Sequence, residues 1–366
     1  MKFDYSEEQR LLADSVRRFV AQDYTFEARR RIIESPEGSG AKVWSTIAEL
    51  GLLGIPFSSE DGGFGGGAVD LMSVMEAFGE ALVVEPYLST LIGAQFVARA
   101  GSDAMKQRVL PAVIEGKLKL AFAQTEKGAR YDLSRVSTTA KKSGSGYVID
   151  GEKIAVLHAP LAGQIVVSAG RSLFLVDASS PGISMKALRT FDEMPAADIS
   201  FHNVTVGADA LVGTEGAALP LVEEVVDFAT ALVCAEAVGA MKFANDTTLE
   251  YLKTRKQFGV PIGSFQALQH RMVDMVIACE QARSMASLAC AKVDTERDAN
   301  ERKRVVSAAK IRIADACRQV SQESVQLHGG MGMSEELKVS HTFRRLTAIA
   351  QQFGDADHHL ARFAAA

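Results

Sequence analysis

The sequence predicts an α+β chain in three parts: helices, then strands, then helices to the end. Three observations predict it. Apolar residues recur at helical spacing through the first third of the chain. Short β-like runs with turn residues between them, and no helix among them, follow from about Leu118. From about Gly216 the helical period returns and holds. The implied domains are 1–117 (α-helical), 118–213 (β) and 214–366 (a helical bundle).

The elements follow in order. Ser6 with Gln9 three residues on is a capping-box pattern, and Leu12, Val16, Phe19 and Val20 repeat at helical spacing behind it. Val43 to Leu53 is a second amphipathic stretch. The cluster Gly62, Gly63, Gly65, Gly66 and Gly67 reads as a flexible loop leading into a helix over Val69 to Leu82. Further helices are expected at Leu88 to Ala100 and Asp103 to Ile114.

In the middle, Val136 to Ala140 is β-like, Ser143 to Gly146 is a turn, and Tyr147-Val148-Ile149 resumes the strand pattern. Gln164 to Ser168, Ser172 to Val176, Ile183 to Leu188 and Ala197 to Val206 are further short strands. Strands so spaced imply a compact antiparallel barrel or sandwich. Long helices are then expected over Leu221 to Lys253, Ser264 to Glu296 and Ala299 to Leu327, with shorter ones over Glu335 to Arg345 and Asp355 to Phe363. Together they make a four-helix-type bundle. No internal repeat or low-complexity tract interrupts the order.

Composition narrows the function. The 366 residues are 47% hydrophobic and 23% charged, which is ordinary for a folded chain and excludes disorder. A net charge of −5 argues against a protein that coats nucleic acid. The longest charge-free run, Ile154 to Gly170, holds His158, Pro160 and Gln164 and is too short and polar to span a bilayer. Met1-Lys2-Phe3-Asp4 leads into charged residues, so no secretory leader is expected. Cys234, Cys279, Cys290 and Cys317 have no metal-like spacing and read as reduced core thiols of a cytoplasmic protein.

Two motifs in the last third carry a resemblance. Tyr251-Leu252-Lys253-Thr254-Arg255-Lys256-Gln257-Phe258-Gly259 is followed by Phe265-Gln266-Ala267-Leu268-Gln269-His270, and later by Gln326-Leu327-His328-Gly329-Gly330-Met331-Gly332. Alone, the first half also fits a helix-end cation and the second a C-cap turn. The pair at this separation resembles the acyl-CoA dehydrogenase family, and the three-part order matches over essentially the whole chain. The resemblance implies FAD as cofactor, an acyl-CoA thioester as substrate, and electron-transferring flavoprotein as electron acceptor. It also implies an oligomer, because in family members these residues hold the neighbouring subunit's FAD. A pyrophosphate needs a fixed cation and close backbone approach. The resemblance gives Arg255 the cation's role, Gln257 and Gln326 those of neutral donors, and Phe258 that of an apolar wall. Gly329 and Gly330, with Gly332, let the backbone come close because no Cβ intervenes.

The family's reaction is α,β-dehydrogenation: a carboxylate takes the α-proton while the β-hydrogen leaves as hydride to the flavin. The family carries its Glu at one of two positions, and here these hold Phe353 and Ala229, neither of which accepts a proton. A shift in register would bring Asp355 or Asp227, each two residues away, into play as the base; otherwise Asp355 is an N-cap for the last helix. The segment Thr125-Glu126-Lys127-Gly128-Ala129-Arg130-Tyr131-Asp132 keeps the family's Thr, Glu and Asp but lacks its Gly-Ser pair. Ala155-Val156-Leu157 stands where a Trp usually covers the flavin ring. The residues for a neighbour's FAD are thus kept and those for the chain's own pocket altered. This resembles the small subunit of heteromeric bacterial dehydrogenases of steroid side-chain and pimeloyl-CoA type. The implication is an α2β2 hetero-oligomer whose partner subunit supplies the base.

Three other readings stay open. One is a homo-oligomeric enzyme using Asp355 or Asp227, and another is a helical interaction subunit without catalysis. The third is a metal site at Asp355, Asp357, His358 and His359, although adjacent His residues on a short helix are more often a solvated or hydrogen-bonded end, so no metal is expected. His158, His202, His270, His328 and His341 stand isolated and receive no catalytic role, with His328 a candidate to line the cofactor groove.

Overall fold

The computed structural model describes residues 6–366. The N-terminal tetrapeptide on which the leader reading rests lies outside them. The chain forms two compact units that do not follow chain order: one comprises residues up to 29, 68–83 and 230–366, the other 30–67 and 84–229.

The first unit is helical. It holds α1 (Glu7–Asp23), α4 (Ala68–Ala81), most of α7 (Leu219–Thr254), α8 (Gln266–Thr295), α9 (Ala299–His328), α10 (Lys338–Gln351) and α11 (Ala356–Ala365). The expected capping box at Ser6 and Gln9 starts α1. Asp294 on α8 receives the backbone N–H groups of Ala68 and Val69, an acid capping another helix's N-terminus. Where α4 and α7 cross, both present glycine: a Cβ on Gly79 would lie 1.9 Å from the Glu236 carbonyl oxygen, and one on Gly239 1.8 Å from that of Glu76. Beside the crossing, Arg345 of α10 grips Glu236 with two bonds of 2.6 and 2.7 Å, both side chains buried. All four cysteines are free and buried. Among the described residues, no helix is long and apolar enough to cross a membrane.

The second unit packs α3 (Ala41–Glu49), α5 (Tyr87–Ala100) and α6 (Asp103–Ile114) with two four-stranded sheets. One runs β1 (Leu120–Ala123), β4 (Gln164–Ala169), β5 (Ser172–Asp177) and β8 (Leu211–Val212). The other runs β2 (Thr139–Ser143), β3 (Gly146–Leu157), β7 (Pro195–Gly207) and β6 (Ile183–Arg189). Ile149, Val156, Ile165, Val167, Phe174 and Phe201 form one apolar core from both sheets. This is a sandwich, but not a wholly antiparallel one: β1 and β4 run parallel. The chain leaves the first sheet after β1, makes the β2–β3 hairpin in the second and returns, so β4 can enter in β1's direction.

Two other expectations are corrected. The strand predicted over 136–140 begins only at Thr139, because the Ser137 and Thr138 N–H groups are committed to the Glu126 carboxylate. A helix not expected, α2 (Phe26–Glu34), lies before α3. Its Arg29 is fully buried, donating to the Leu82 carbonyl at 2.7 Å and to His341 Nδ1 at 3.1 Å, so a charge sits where the apolar pattern would show a core residue.

Candidate functional site

In the helical unit, the Arg255 and glycine motifs sit at one end of the bundle. Tyr251, one turn before the end of α7, stacks on His328, the last residue of α9, at 4.5 Å, and Thr248 Oγ1 meets Ser324 Oγ at 2.9 Å. His328 is buried beneath that ring and gives its Nδ1 proton to the Ser324 carbonyl at 2.8 Å; it supports this end of the bundle.

Arg255 follows the end of α7. Its backbone is pinned by bonds of 2.8 Å to Tyr251 and Ile262, while its side chain is exposed and has no ion-pair partner among the described residues. The next residues form a hairpin, β9 (Lys256–Gln257) and β10 (Val260–Pro261), turned by Phe258 at φ 55° and Gly259 at φ 81°. Two successive left-handed residues make the tight hairpin turn that usually takes Asn-Gly. A Phe there costs about 1–2 kcal/mol. Its ring is 91% exposed and meets Phe265 only edge-on at 6.1 Å. A strained apolar ring held in water gains little within its own chain, so the geometry suits an external partner.

Gly329 adopts φ 61° and ψ −146°, a conformation open only to glycine. Gly330 needs no such freedom, and a Cβ there would meet nothing in the chain. Gln326, Gly329 and Gly330 are all exposed. An exposed guanidinium without an ion-pair partner among the described residues, neutral amides, an exposed ring and a backbone free of side chains fit a dinucleotide diphosphate.

The expected base positions are apolar in space as in sequence. Ala229 and Asp227 are fully buried in the other unit. Phe353 is half-buried in the turn between α10 and α11, at φ 61°. Asp355 caps α11, its carboxylate accepting the His358 N–H at 2.8 Å, and lines a groove of about 400 Å³ with Arg318, Gln322, Thr347 and Gln351. His359 turns inward: it faces Ser307 Oγ and the Phe353 carbonyl, each at 3.2 Å. Among the described residues no three His, Cys, Asp or Glu side chains converge as metal ligands do.

Burial, with the Lys310, His358 and Arg362 charges, pushes the His359 imidazole down to about 3, and burial lowers His341 too. His359 stays neutral in the fold while the unfolded chain takes up a proton there below about 6.5. Its contribution is therefore complete above that pH and lost as pH falls from 6.5 toward 3, at up to about 1.4 kcal/mol per pH unit, and the lowered His341 acts in the same direction. Urea midpoints measured across that range should fall with acidity, and His359→Gln should flatten the slope by one proton. An unchanged slope would mean His359 is protonated in the fold.

In the strand-rich unit, Glu126 lies in a cluster the sequence did not reveal. Lys153, fully buried, donates to its carboxylate at 2.7 Å and to Ser168 Oγ at 2.8 Å. Burial lowers the ammonium to about 8 against the pull of Glu126. The same burial would raise Glu126, but Lys153, Ser137 and Thr138 outweigh it and bring the carboxyl to about 2. Nearby, Ala155 sits at φ 50° in a bulge of β3, its N–H held by Asp198 at 2.9 Å. Ala155 is exposed.

Comparison with known proteins gives three consecutive matches along the chain. The family profiles described as acyl-CoA dehydrogenase N-terminal, middle and C-terminal domains match residues 6–117, 121–204 and 219–366. The chain is 32% identical to acyl-CoA dehydrogenase FadE12 of Mycobacterium tuberculosis over 371 aligned positions, covering 95% of this chain and 93% of that protein. Among solved structures, it superposes on a chain of the ChsE4-ChsE5 complex from Mycobacterium tuberculosis with TM-score 0.90 at 25% identity, covering 100% and 98% of the two chains. It superposes on PigA with FAD and proline with TM-score 0.91 at 28% identity, again covering 100% and 98%.

Proposed function

The chain belongs to the acyl-CoA dehydrogenase family, and from that membership we propose that it is one subunit of a heteromeric, FAD-dependent enzyme desaturating the α,β bond of an acyl-CoA thioester. FAD, when bound, supplies the acceptor for the β-hydride. This chain's part is to hold the ADP half of a cofactor shared with its partner. Arg255 neutralises the pyrophosphate, Gln257 and Gln326 donate to it, Gly329 and Gly330 allow close approach, and the Phe258 ring shields the apolar side from water. The α-proton goes to a Glu of the partner subunit.

One contrast carries this reading: the clamp residues are exposed and unspent within the chain, while both base positions hold apolar side chains. Kinship with a chain of the ChsE4-ChsE5 complex supports a two-chain enzyme, and kinship with FAD-bound PigA supports the cofactor. An α2β2 assembly, a bulky steroid-type acyl group and electron-transferring flavoprotein as acceptor complete the proposal.

In the reconstituted complex, Arg255→Ala should remove a charge-assisted contact of about 1.5–3 kcal/mol, weakening FAD binding roughly 10- to 150-fold. FAD titration of the flavin-free complex checks this; unchanged affinity rejects the role of Arg255. Stoichiometric flavin on the purified lone chain, read from its visible absorption, would reject the shared site.

A further inference from the structure

Three hydrogen bonds converge on the end of α10 and the turn that joins it to α11. The Lys310 ammonium, from α9, donates to the Ala350 carbonyl at 3.2 Å and the Gly354 carbonyl at 2.7 Å. The His359 ring reaches the Phe353 carbonyl with Nε2 at 3.2 Å. A carbonyl only accepts, so Nε2 carries the proton and Nδ1 takes the Ser307 hydroxyl proton, at 3.2 Å. Carbonyls 350, 353 and 354 are thus all turned inward onto side chains of α9 and α11.

The turn they hold is one an aromatic residue resists. Phe353 lies at φ 61° and Gly354 at φ 126°. Gly354 is also sterically required, since a Cβ there would come within 2.7 Å of His359 Nε2. Left-handed backbone at a non-glycine residue persists only where its surroundings over-determine it. Lys310 is 0% exposed, on the same helical face as Val306, Ala309 and Ile313. A methionine would fill such a place without desolvating a charge. One of its hydrogen bonds goes to the turn, at Gly354, and the other to Ala350 in the last helical turn of α10 that leads into it.

We propose that Lys310 and His359 are positioning residues: by binding these carbonyls they hold the Phe353–Gly354 turn in its left-handed form and present the Phe353 ring in one orientation. The clamp is a property of this chain alone. Its bearing on catalysis rests on the proposed function, in which Phe353 stands at a position of the family's base.

A double-mutant cycle on the full chain tests the clamp. Phe353→Gly removes the conformational strain, so the loss of urea midpoint caused by Lys310→Met should shrink by at least half in that background. With 4-fluorophenylalanine at position 353 alone, the parent should give one narrow ¹⁹F resonance, split or broadened by Lys310→Met or His359→Leu. His359→Gln, which keeps an N–H donor, should restore the narrow line. If Lys310→Met does not fold, His359→Leu takes its place in the cycle. Additive midpoints with one unchanged ¹⁹F line overturn the proposal. Neither measurement needs flavin, substrate or partner, so the result is separable from that of the Arg255 titration.

Discussion

Gly239→Ala should be among the most damaging single-methyl substitutions available in this chain. The added Cβ would lie 1.8 Å from the Glu76 carbonyl oxygen, and the obstacle is helix backbone, which cannot rotate aside as a side chain can. Either α4 and α7 separate and open their shared core, or the helices distort. Overpacking usually costs about 1–3 kcal/mol, and backbone against backbone belongs at or above the top of that range. Alanine's better helix propensity returns only about 1 kcal/mol. A net loss of roughly 3 kcal/mol is expected, a large share of a total stability of about 5–15 kcal/mol. Gly79→Ala should behave alike, with the Glu236 carbonyl oxygen 1.9 Å away. Gly330→Ala is the matched control, because its Cβ meets nothing in the chain. Urea unfolding followed by circular dichroism gives the comparison. Equal midpoints for Gly239→Ala and Gly330→Ala would show that the helices are not in backbone contact.

Arg345→Ala is the second large effect. The guanidinium binds both oxygens of Glu236, and each side chain is about 6% exposed. Removing one partner strands a buried carboxylate, which typically costs about 3–5 kcal/mol. The pair itself need not be net stabilising, since its attraction mostly offsets desolvation. Glu236→Leu combined with Arg345→Met should therefore recover most of the loss. If Arg345→Ala shifts stability by less than about 1 kcal/mol, water reaches the pair and its burial is illusory.

Most of the fold was legible because periodicity reports burial. The helix expected over Asp103 to Ile114 forms with those ends, and the long helix expected over Leu221 to Lys253 gains a residue or two at each end. What escaped were elements whose pattern is carried by polar residues. In α2, three consecutive arginines hid one that points inward. Ser137 and Thr138 read as strand, yet their donors serve Glu126. The residues proposed to hold the cofactor stand out in the sequence as two separate motifs, Arg255 with Phe258 in one and Gly329 with Gly330 in the other. The inner polar groups do not. Lys153 lies between Glu152 and Ile154 like any solvated lysine, and nothing local announces that it pairs with Glu126 in the segment after β1. Lys310 did leave a trace: it falls on the apolar stripe of Val306, Ala309 and Ile313, where an exposed lysine would not. His359 was noticed only as a metal candidate, because adjacent histidines suggest chelation before they suggest a hydrogen bond to a backbone turn.

The interleaving of the two units also bears on how the chain matures on the ribosome. Ala68 and Asp294 are 226 residues apart, yet one caps the other's helix. Helices α1 and α4 leave the exit tunnel long before residues 230–366 exist, so they wait with an apolar face uncovered while the strand-rich part can already begin to assemble. Loop closure over such distances is slow, and exposed apolar surface in the interval invites chaperone capture or aggregation. Producing the N-terminal segment alone would isolate that vulnerable intermediate, whereas shuffled or truncated versions of this protein must carry both distant stretches to close the helical core.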